Sequence, residues 1–465
     1  MHSQKPKKPR HLDYDLIVIG SGPAGNVAAN MSARAGKKVA VIEADTIGGE
    51  CPNFGCVPTK ALLTAAETYR VAKREAAHFG VRATGVSFNF QKIMQWKDEA
   101  VYNTGTHAGK KLYKDAGIAS IKGKAHFLSP WTVSVGKKRY SAHKFLIATG
   151  TYNVVPRSIE GLADAGYITY REAISLKKLP TSLFVIGGGA IGCEFSQFFA
   201  TFGTKVQIAE YAPRLAPKED PEVGQTMRAV FESEGIQVHT STQVTKVVAR
   251  KGKKEVHYTL DGEQKKTIVQ EVLLAAGKGA MTDIGLENAG VKYDARSIHA
   301  NKYMQTSNPH IYVAGDVTGP YMFTHTATYQ SRLVGHNLWH RKKIAADYHA
   351  IPRCIFISPE AASVGPSEQE LKDKGIDYQV SQVPISIIGR SNTSHKKTGF
   401  VKVLASHTGV VLGGSIVAPR AGEMLHELTL AAQHGMKASQ INDTIHAFPT
   451  WSEAVRIACS RIKCT

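Results

Sequence analysis

A short apolar strand runs directly into a glycine-rich loop in the stretch Asp15-Leu16-Ile17-Val18-Ile19-Gly20-Ser21-Gly22-Pro23-Ala24-Gly25. An Ala-rich helix follows, and then a second apolar strand, Lys38-Val39-Ala40-Val41-Ile42-Glu43. Together they form a βαβ unit of about thirty residues, which is typical of dinucleotide-binding domains. The glycines allow the backbone to approach a pyrophosphate, the helix N-terminus offers N–H groups to it, and Glu43 is placed to accept ribose hydroxyls.

The same design occurs a second time in the chain. The strand Ser182–Ile186 leads into Gly187-Gly188-Gly189-Ala190-Ile191-Gly192, a helix extends to about Phe202, and the strand Lys205–Glu210 ends in a carboxylate. One such loop is weak evidence for a nucleotide site, but two copies that each end in Glu are strong evidence. The repeat predicts an α/β protein with two Rossmann-like nucleotide-binding domains.

Two cysteines follow the first βαβ unit, in Gly48-Gly49-Glu50-Cys51-Pro52-Asn53-Phe54-Gly55-Cys56-Val57-Pro58-Thr59-Lys60. The pair precedes a strongly helical run from Lys60 to Ala77, and Pro58 suits a first helical turn. A helix dipole lowers the pKa of a thiol at its start, and disulfide exchange needs a thiolate both to attack and to leave. We therefore expect Cys51 and Cys56 to form a redox disulfide that exchanges electrons with a flavin.

Three more apolar segments end in turns or a carboxylate: Phe145–Gly150, Leu273–Gly277 and Ile311–Asp316. From about Tyr348 the pattern changes to strand-like alternation, as in Phe400–Val403, followed by helical stretches near 423–434 and 452–463. This change predicts a third, α+β domain.

The composition restricts the function classes. The 465 residues suffice for roughly two to four domains. No run reaches the ~18 apolar residues of a membrane span, no signal segment precedes the first strand, and the six cysteines are too few for a secreted disulfide scaffold. We therefore expect a cytoplasmic protein without a membrane partner.

The charge is strongly positive, because 58 Lys and Arg residues face 38 Asp and Glu residues, a net +20. Such a charge attracts nucleic acid or acidic proteins. No basic stretch is interleaved with aromatic residues, so we expect a solvated basic surface and no specific nucleic-acid partner. A zinc-binding module built from the two C-x4-C pairs is a further alternative, but zinc prefers shorter spacings and this alternative leaves both nucleotide loops unexplained.

Taken together, these motifs resemble the class I flavin-dependent pyridine nucleotide–disulfide oxidoreductases, the group of dihydrolipoamide dehydrogenase, glutathione reductase and mercuric reductase. The resemblance extends from Asp13 to about Cys459 and is strongest to dihydrolipoamide dehydrogenase, with mercuric reductase next. Besides the two loops and the cysteine segment, it rests on Ala148-Thr149-Gly150, Ala314-Gly315-Asp316 and Phe448-Pro449-Thr450-Trp451-Ser452-Glu453.

The resemblance implies an order of domains and a homodimer. A basic disordered tail at 1–12 would precede an FAD-binding domain at 13–150, which 277–347 completes. An NAD(P)-binding domain would occupy 151–276, and a dimerisation domain 348–465.

The resemblance also implies which residues bind the cofactors. The FAD site would consist of Gly20, Gly22, Gly25, Glu43, Gly49, Thr149, Gly150, Gly277 and Asp316. The nicotinamide nucleotide would be held by Gly187, Gly189, Gly192 and Glu210. The carboxylate of Glu210 favours NADH by repelling the 2′-phosphate of NADPH, although the nearby Arg214 and Lys218 keep NADPH possible.

In this family, hydride passes from the nicotinamide through FAD to the disulfide and then to a small or protein disulfide. By resemblance, Cys56 is the thiolate nearer the flavin and Cys51 exchanges with the substrate. Lys60 and Glu194 resemble the family's ion pair beside the flavin.

The C-terminal motif departs from the family at one catalytic position. Dithiol-handling members carry a His directly before the Pro-Thr of this motif, and with Glu453 it would form a base donated across the dimer. This chain has Phe448 there, which cannot accept a proton. His446 is a displaced candidate base, since on an extended segment it would point the same way as Phe448.

The departure leaves a mercuric or metal-ion reductase as the alternative function. Members of that branch carry an aromatic residue at this position and a cysteine pair near the C-terminus, and this chain has Cys459 and Cys464. On a helix these two thiols would not face each other, so a structural role is the favoured explanation of the pair.

Two smaller features complete the comparison. The segment Gly277-Lys278-Gly279-Ala280-Met281 replaces the family's Arg-x-Pro-Asn-like segment. Cys193 and Cys354 are isolated in the sequence and are expected to be buried apolar side chains.

Overall fold

The computed structural model describes residues 8–463, so most of the predicted tail and Cys464 lie outside the described residues. The described chain divides into two compact units. The first contains 8–58, 96–154 and 277–347, and the second contains 59–95, 155–276 and 348–463. The domain boundaries that the sequence suggested stay a prediction.

The strands are β1 (Tyr14–Ile19), β2 (Val39–Glu43), β3 (Ala119–Lys122), β4 (Ala125–Ser129), β5 (Thr132–Val135), β6 (Lys138–Ile147), β7 (Thr151–Asn153), β8 (Ser182–Ile186), β9 (Lys205–Ala209), β10 (Gln237–His239), β11 (Gln243–Arg250), β12 (Lys253–Leu260), β13 (Glu263–Val269), β14 (Glu271–Leu274), β15 (Lys278–Ala280), β16 (Ile311–Val313), β17 (Pro352–Ile355), β18 (Glu360–Val364), β19 (Gln379–Pro384), β20 (Phe400–Ala405) and β21 (Val411–Ala418).

The helices are α1 (Pro23–Arg34), α2 (Glu50–Asn53), α3 (Cys56–Arg70), α4 (Phe90–Asn103), α5 (Gly109–Asp115), α6 (Leu162–Ala165), α7 (Tyr170–Ala173), α8 (Ala190–Thr201), α9 (Pro221–Ser233), α10 (Thr324–Trp339), α11 (Glu368–Asp373), α12 (Gly389–Ser394), α13 (Ala421–Gln433), α14 (Ala438–Asp443) and α15 (Glu453–Ser460). The helical run predicted from Lys60 to Ala77 is α3 followed by a π-helical turn, Val71–Glu75, and a 3₁₀ turn, Ala76–Phe79. Within 8–463, no helix combines the length and the apolar character needed to cross a membrane.

The first unit is built on a parallel sheet in the order β3-β2-β1-β6-β16, and β6 continues into an antiparallel β6-β5-β4 extension. Its central strands are apolar throughout because both faces are covered, as in other parallel sheets. Helices α1 and α10 pack closely, since Ser331 Oγ donates to Ala24 O at 2.5 Å and accepts from Ala28 N at 2.9 Å. A Cβ on Gly335 would lie only 2.6 Å from Met31 Sδ.

The second unit contains a parallel sheet β10-β9-β8-β14, an antiparallel sheet β11-β12-β13 and an antiparallel sheet β17-β18-β21-β20-β19. Helices α13 and α15 pack against the last of these with a large apolar core. The predicted α/β class, with two Rossmann-like βαβ units and a C-terminal α+β region, is confirmed.

Candidate active site

The first glycines of the two loops occupy equivalent, tightly restricted positions. Gly20 has φ +105° and Gly187 has φ +111°, conformations that L side chains rarely adopt. A Cβ on Gly20 would lie 2.2 Å from Ala148 O, and one on Gly187 would lie 2.5 Å from Ala275 O. Each loop therefore passes directly over the end of a neighbouring parallel strand, where only glycine fits.

The third glycines repeat this equivalence. A Cβ on Gly25 would lie 2.0 Å from Gly20 O, and one on Gly192 would lie 1.9 Å from Gly187 O. The helices α1 and α8 can therefore approach their loops only without a side chain at these positions.

Glu43 contacts the first loop through Oε2 and the segment after β2 through Oε1. Its Oε2 accepts from Ser21 N at 2.8 Å and from Ser21 Oγ at 2.6 Å, and its Oε1 accepts from Asp45 N at 2.7 Å. Gly49 approaches the same loop so closely that a Cβ on it would lie 2.6 Å from Gly22 Cα. The resulting cradle is lined by backbone, and no side chain caps the N-terminus of α1 at Gly22. Such a cradle suits a pyrophosphate.

Glu210 repeats this arrangement at the second loop. Its Oε2 accepts from Gly188 N at 2.6 Å and its Oε1 accepts from Ala212 N at 2.7 Å. Gly189 is the N-cap of α8 and makes no side-chain cap. The two predicted nucleotide sites therefore have the same local construction, and the residues present fit a dinucleotide at each.

The predicted residues Thr149, Gly150 and Gly277 lie together where β6 ends. Thr149 Oγ1 donates to Met281 O at 2.8 Å, and Met281 N donates to Gly150 O at 3.0 Å. Gly277 accepts from Val154 N at 3.1 Å. The segment that departs from the family therefore forms β15, which pairs antiparallel with β7.

Asp316 follows the buried strand β16 and begins a short 3₁₀ turn. Burial raises the pKa of this carboxyl, the Lys278 ammonium opposes that rise, and Glu50 adds to it. A buried carboxyl that is partly balanced by a lysine can accept a hydrogen bond from a polar ligand group. Lys278 belongs to the segment 277–281, which differs from the family pattern, so the resemblance did not indicate its effect on the pKa of Asp316.

Cys51 and Cys56 are brought together as two thiols, with no disulfide between them. Cys51 is hydrogen-bonded to Cys56, and this contact, followed by burial, raises the pKa of the Cys51 thiol. Cys56 Sγ lies 3.4 Å from Thr324 Oγ1. Cys56 begins α3 and Thr324 begins α10, so two helix N-termini converge on the pair. Their dipoles act against that rise and favour a thiolate at the pair, which exchange chemistry requires.

Lys60 lies one turn after Cys56 along α3 and pairs with Glu194 of α8. Lys60 Nζ is 2.8 Å from Glu194 Oε2 and 3.1 Å from Glu194 Oε1. The Glu194 side chain is 5% exposed, whereas that of Lys60 is 34% exposed. The carboxylate is therefore held inside while the ammonium reaches toward solvent.

Phe356 supports this ion pair and was not indicated by any sequence motif. Its backbone N donates to Glu194 Oε1 at 3.0 Å, and Lys60 Nζ lies 4.4 Å from the centroid of its ring. A cation–π contact and a backbone donor together fix both charges. The residue follows β17, far from α3 and α8 in sequence, so only the fold reveals the contact.

The two isolated cysteines differ in burial. Cys193 is fully buried and donates to Gly188 O at 3.3 Å, as an isolated structural cysteine should. Cys354 was also expected to be buried, but it is only half-buried because it lies in β17 at the edge of its sheet. Burial and the Glu360 charge raise the pKa of its thiol.

The interpretation of His446 as a displaced base is wrong in its geometry. The segment that contains it is a loop and not a strand, so its side chains do not alternate. The His446 side chain is 8% exposed and its Nε2 lies 3.1 Å from Glu427 Oε2. Its Nδ1 lies 2.8 Å from Thr444 O, whereas Phe448 is 76% exposed. His446 therefore points inward while Phe448 points outward.

Glu453 begins α15, five residues after Phe448. Among the described residues, its Oε2 is buried without a hydrogen-bond partner. A buried carboxylate oxygen without a hydrogen-bond partner destabilises the folded state by about 1–3 kcal/mol. Cys459, on the same helix, is 1% exposed, and burial raises the pKa of its thiol to about 12.

Comparison with known proteins agrees with this geometry. The family model described as pyridine nucleotide-disulphide oxidoreductase matches residues 14–331, and the model of its dimerisation domain matches residues 351–459. The chain is 35% identical over 461 residues to a dihydrolipoyl dehydrogenase of Bacillus subtilis, covering 95% of this chain and 96% of that protein.

Two further relatives carry other names. A mercuric reductase of Streptomyces lividans is 35% identical over 460 residues, covering 96% of each protein. The solved Cu(II) complex of RclA, an HOCl-induced flavoprotein disulfide reductase of Escherichia coli, has a TM-score of 0.87 and 28% identity, covering 97% of this chain and 100% of that one. The family models and the full-length relatives show that the chain belongs to the pyridine nucleotide-disulphide oxidoreductase family.

Proposed function

We propose that this protein is an FAD-dependent, NADH-linked disulfide oxidoreductase that delivers electrons to a small or protein disulfide, as the dihydrolipoyl dehydrogenase relatives suggest. The observation that carries the proposal is the Cys51–Cys56 thiol pair at two converging helix N-termini. When bound, FAD would accept a hydride and supply two electrons for disulfide reduction.

The chain's own residues supply binding and thiol chemistry. In the proposed exchange, the Cys51 thiolate attacks one sulfur of the substrate disulfide and the other sulfur leaves as a thiolate. The Cys56 thiolate then attacks Cys51 Sγ, which restores the Cys51–Cys56 disulfide and releases the second substrate thiol. Two electrons pass to the substrate, and two protons from solvent complete its thiols.

Two glycine substitutions test which loop binds which nucleotide. Gly20→Ala forces a Cβ to 2.2 Å from Ala148 O, so we expect the protein to be purified without bound flavin. Gly187→Ala causes the equivalent clash at the second loop, and we expect it to keep the flavin while KM for NADH rises at least about tenfold. Flavin absorbance per protein and steady-state kinetics measure the two effects.

Gly36→Ala is the matched control, because Gly36 has φ +73° but a Cβ there meets nothing within 4 Å. This variant isolates backbone strain from steric clash, and we expect normal flavin content and KM. The loop assignment is reversed if Gly187→Ala is the variant that loses flavin.

Glu210 is proposed to set the preference for NADH. Glu210→Ala removes a negative charge and exposes the N–H groups of Gly188 and Ala212, which can then bind a 2′-phosphate. We expect the ratio of kcat/KM for NADH to that for NADPH to exceed one in the wild type and to fall at least about tenfold in the variant. Glu263→Ala, an equal charge change at an exposed position, should leave the ratio unchanged.

A homodimer is proposed from the match of residues 351–459 to the dimerisation domain. Two neighbouring apolar side chains of this region are exposed in the single chain, Ile445 at 97% and Phe448 at 76%. Covering them by a second copy would remove apolar surface from water.

A metal-ion reductase is the second candidate. Phe448 in place of the expected His and the similarity to mercuric reductases and to the Cu(II)-bound RclA favour it. The burial of Cys459 argues against a relay through the C-terminal cysteines. NADH oxidation measured with lipoamide, glutathione disulfide, Hg²⁺ and Cu²⁺ separates the two. Turnover of metal ions without any disulfide turnover would replace the first proposal by the second.

A further inference from the structure

A cluster of lysines lies at the amino-terminal edge of the parallel sheet in the first unit. Lys37 and Lys38 directly precede β2, and Lys144 pairs in register with Leu16 near the start of β1. The glycine loop follows the opposite end of β1, about 20 Å away for a strand of this length. The cluster is therefore separate from the proposed FAD site.

Trp339 at the end of α10 organises two of these lysines. Lys37 Nζ lies 5.0 Å and Lys144 Nζ lies 4.7 Å from the centroid of its ring. The indole Nε1 donates to Ser32 Oγ at 2.9 Å, which fixes the ring. Cation–π contacts therefore hold the Lys37 and Lys144 ammonium groups near each other. The same two groups cover the Trp339 ring.

Two further lysines, Lys8 and Lys343, lie near this cluster. Lys8 Nζ lies 5.0 Å from the centroid of Trp131, whose ring lies 4.2 Å from that of His310. Burial lowers the pKa of His310, and the charges of Lys8 and Lys144 lower it further, which places both ammonium groups near this imidazole. Lys343 donates to Asn337 O near the end of α10 and lies near Lys144.

Within residues 8–463, Lys37, Lys144 and Lys343 form no ion pair with a carboxylate, although Lys144 donates to Leu338 O and Lys343 to Asn337 O. Burial lowers the pKa of Lys144, and the nearby Lys343 and Lys37 charges lower it further. Like charges held together in this way repel one another, and a bound anion would relieve that repulsion. The cluster is one local contribution to the net charge of +20.

We propose that this patch, the lysine edge formed by Lys8, Lys37, Lys38, Lys144 and Lys343, binds the phosphate backbone of nucleic acid without reading base sequence. Lysine is a point charge that suits phosphate oxygens, and the row of several cations suits a regularly charged polymer. The Trp339 ring already carries two ammonium groups, so it does not serve as a stacking platform for bases. A basic patch on a chain of pI near 9.5 is the expected electrostatic footprint of such binding.

The test uses the full-length protein with its flavin and a labelled DNA duplex of mixed sequence. We expect log K to fall linearly with log salt concentration, with a slope of about −0.9 per phosphate contact. The triple variant Lys37→Gln, Lys144→Gln, Lys343→Gln should reduce the magnitude of this slope by about 3 and weaken binding at least about tenfold at low salt. Anisotropy titrations at several salt concentrations measure both quantities.

Two matched variants control for charge and for folding. Lys177→Gln, Lys178→Gln, Lys253→Gln removes the same charge from exposed positions of the second unit and should change binding less than about twofold. Arginine at positions 37, 144 and 343 keeps the charge and should keep the binding. If the Gln triple is unstable, the double variant Lys37→Gln, Lys343→Gln leaves the half-buried Lys144 in place and should reduce the slope by about 2.

Three results would overturn the proposal. These are the absence of salt-dependent duplex binding, an equal loss in both Gln triples, and binding of polyglutamate but not duplex DNA by the lysine edge. NADH-dependent disulfide turnover should be the same in every variant, so failure of this proposal is distinguishable from failure of the proposed function.

Discussion

Cys51→Ser and Cys56→Ser should each lower kcat/KM for disulfide substrates by about 10³-fold or more, while NADH-dependent reduction of artificial acceptors persists. A serine hydroxyl cannot form the mixed disulfide or leave from it, so either change interrupts exchange. Cys51 and Cys56 lie outside the two glycine loops, so we expect flavin and nucleotide binding to be retained. Parallel assays with lipoamide or glutathione disulfide and with a quinone or dye acceptor measure the two activities.

Cys193→Ser is the matched control, because this buried cysteine lies outside the pair and a hydroxyl can make the same bond to Gly188 O. We expect its disulfide turnover to remain near that of the wild type. If Cys51→Ser and Cys56→Ser both keep full disulfide turnover, the assignment of the redox pair is wrong.

Phe448→His should raise the rate of dihydrolipoamide oxidation by about 10²-fold near pH 8. An imidazole with an ordinary pKa of ~6.5 is neutral at that pH and can accept the thiol proton, which the phenyl ring cannot. Glu453 Oε2 is buried without a hydrogen-bond partner among the described residues, and the double variant below tests whether this carboxylate orients the new imidazole. The gain should diminish below about pH 6.5, where the imidazole is already protonated.

Two variants distinguish general-base catalysis from a change in packing as the cause of a faster rate in Phe448→His. Phe448→Leu keeps an apolar side chain and should give no gain. Phe448→His combined with Glu453→Gln removes the carboxylate that would orient the imidazole, and we expect most of the gain to be lost. An unchanged rate in Phe448→His would mean that a missing base does not limit dithiol oxidation.

The fold could be predicted well from the sequence because its defining residues act locally. The predicted bounds of β8, Ser182–Ile186, agree with the structure, and the first and third glycines of both loops are explained by positive φ or by contacts of about 2 Å that a Cβ would make with backbone. The strand–loop–helix pattern that carries these glycines occupies consecutive residues, so it is visible in the sequence, whereas the contacts of Gly20 with Ala148 O and of Gly187 with Ala275 O appear only in the fold. The two βαβ units resemble each other locally because each needs glycine at the same two positions of its loop.

The contacts that the sequence did not indicate join residues that are distant along the chain. Phe356 reaches the Lys60–Glu194 pair, and Thr324 reaches Cys56, only through the fold. Alternation along a strand gave the wrong direction for His446 because the segment forms a loop. The lysine edge likewise combines residues from four separate segments, which is why the sequence suggested only a dispersed basic surface.

The most direct test of the central claim is anaerobic addition of NADH to the air-oxidised, purified protein, followed by absorbance and by alkylation of thiols. We predict a yellow protein, a long-wavelength absorbance band after NADH addition, and alkylation of Cys51 and Cys56 only after that addition. A colourless protein, or a yellow protein in which NADH leaves these two cysteines resistant to alkylation, would contradict the account.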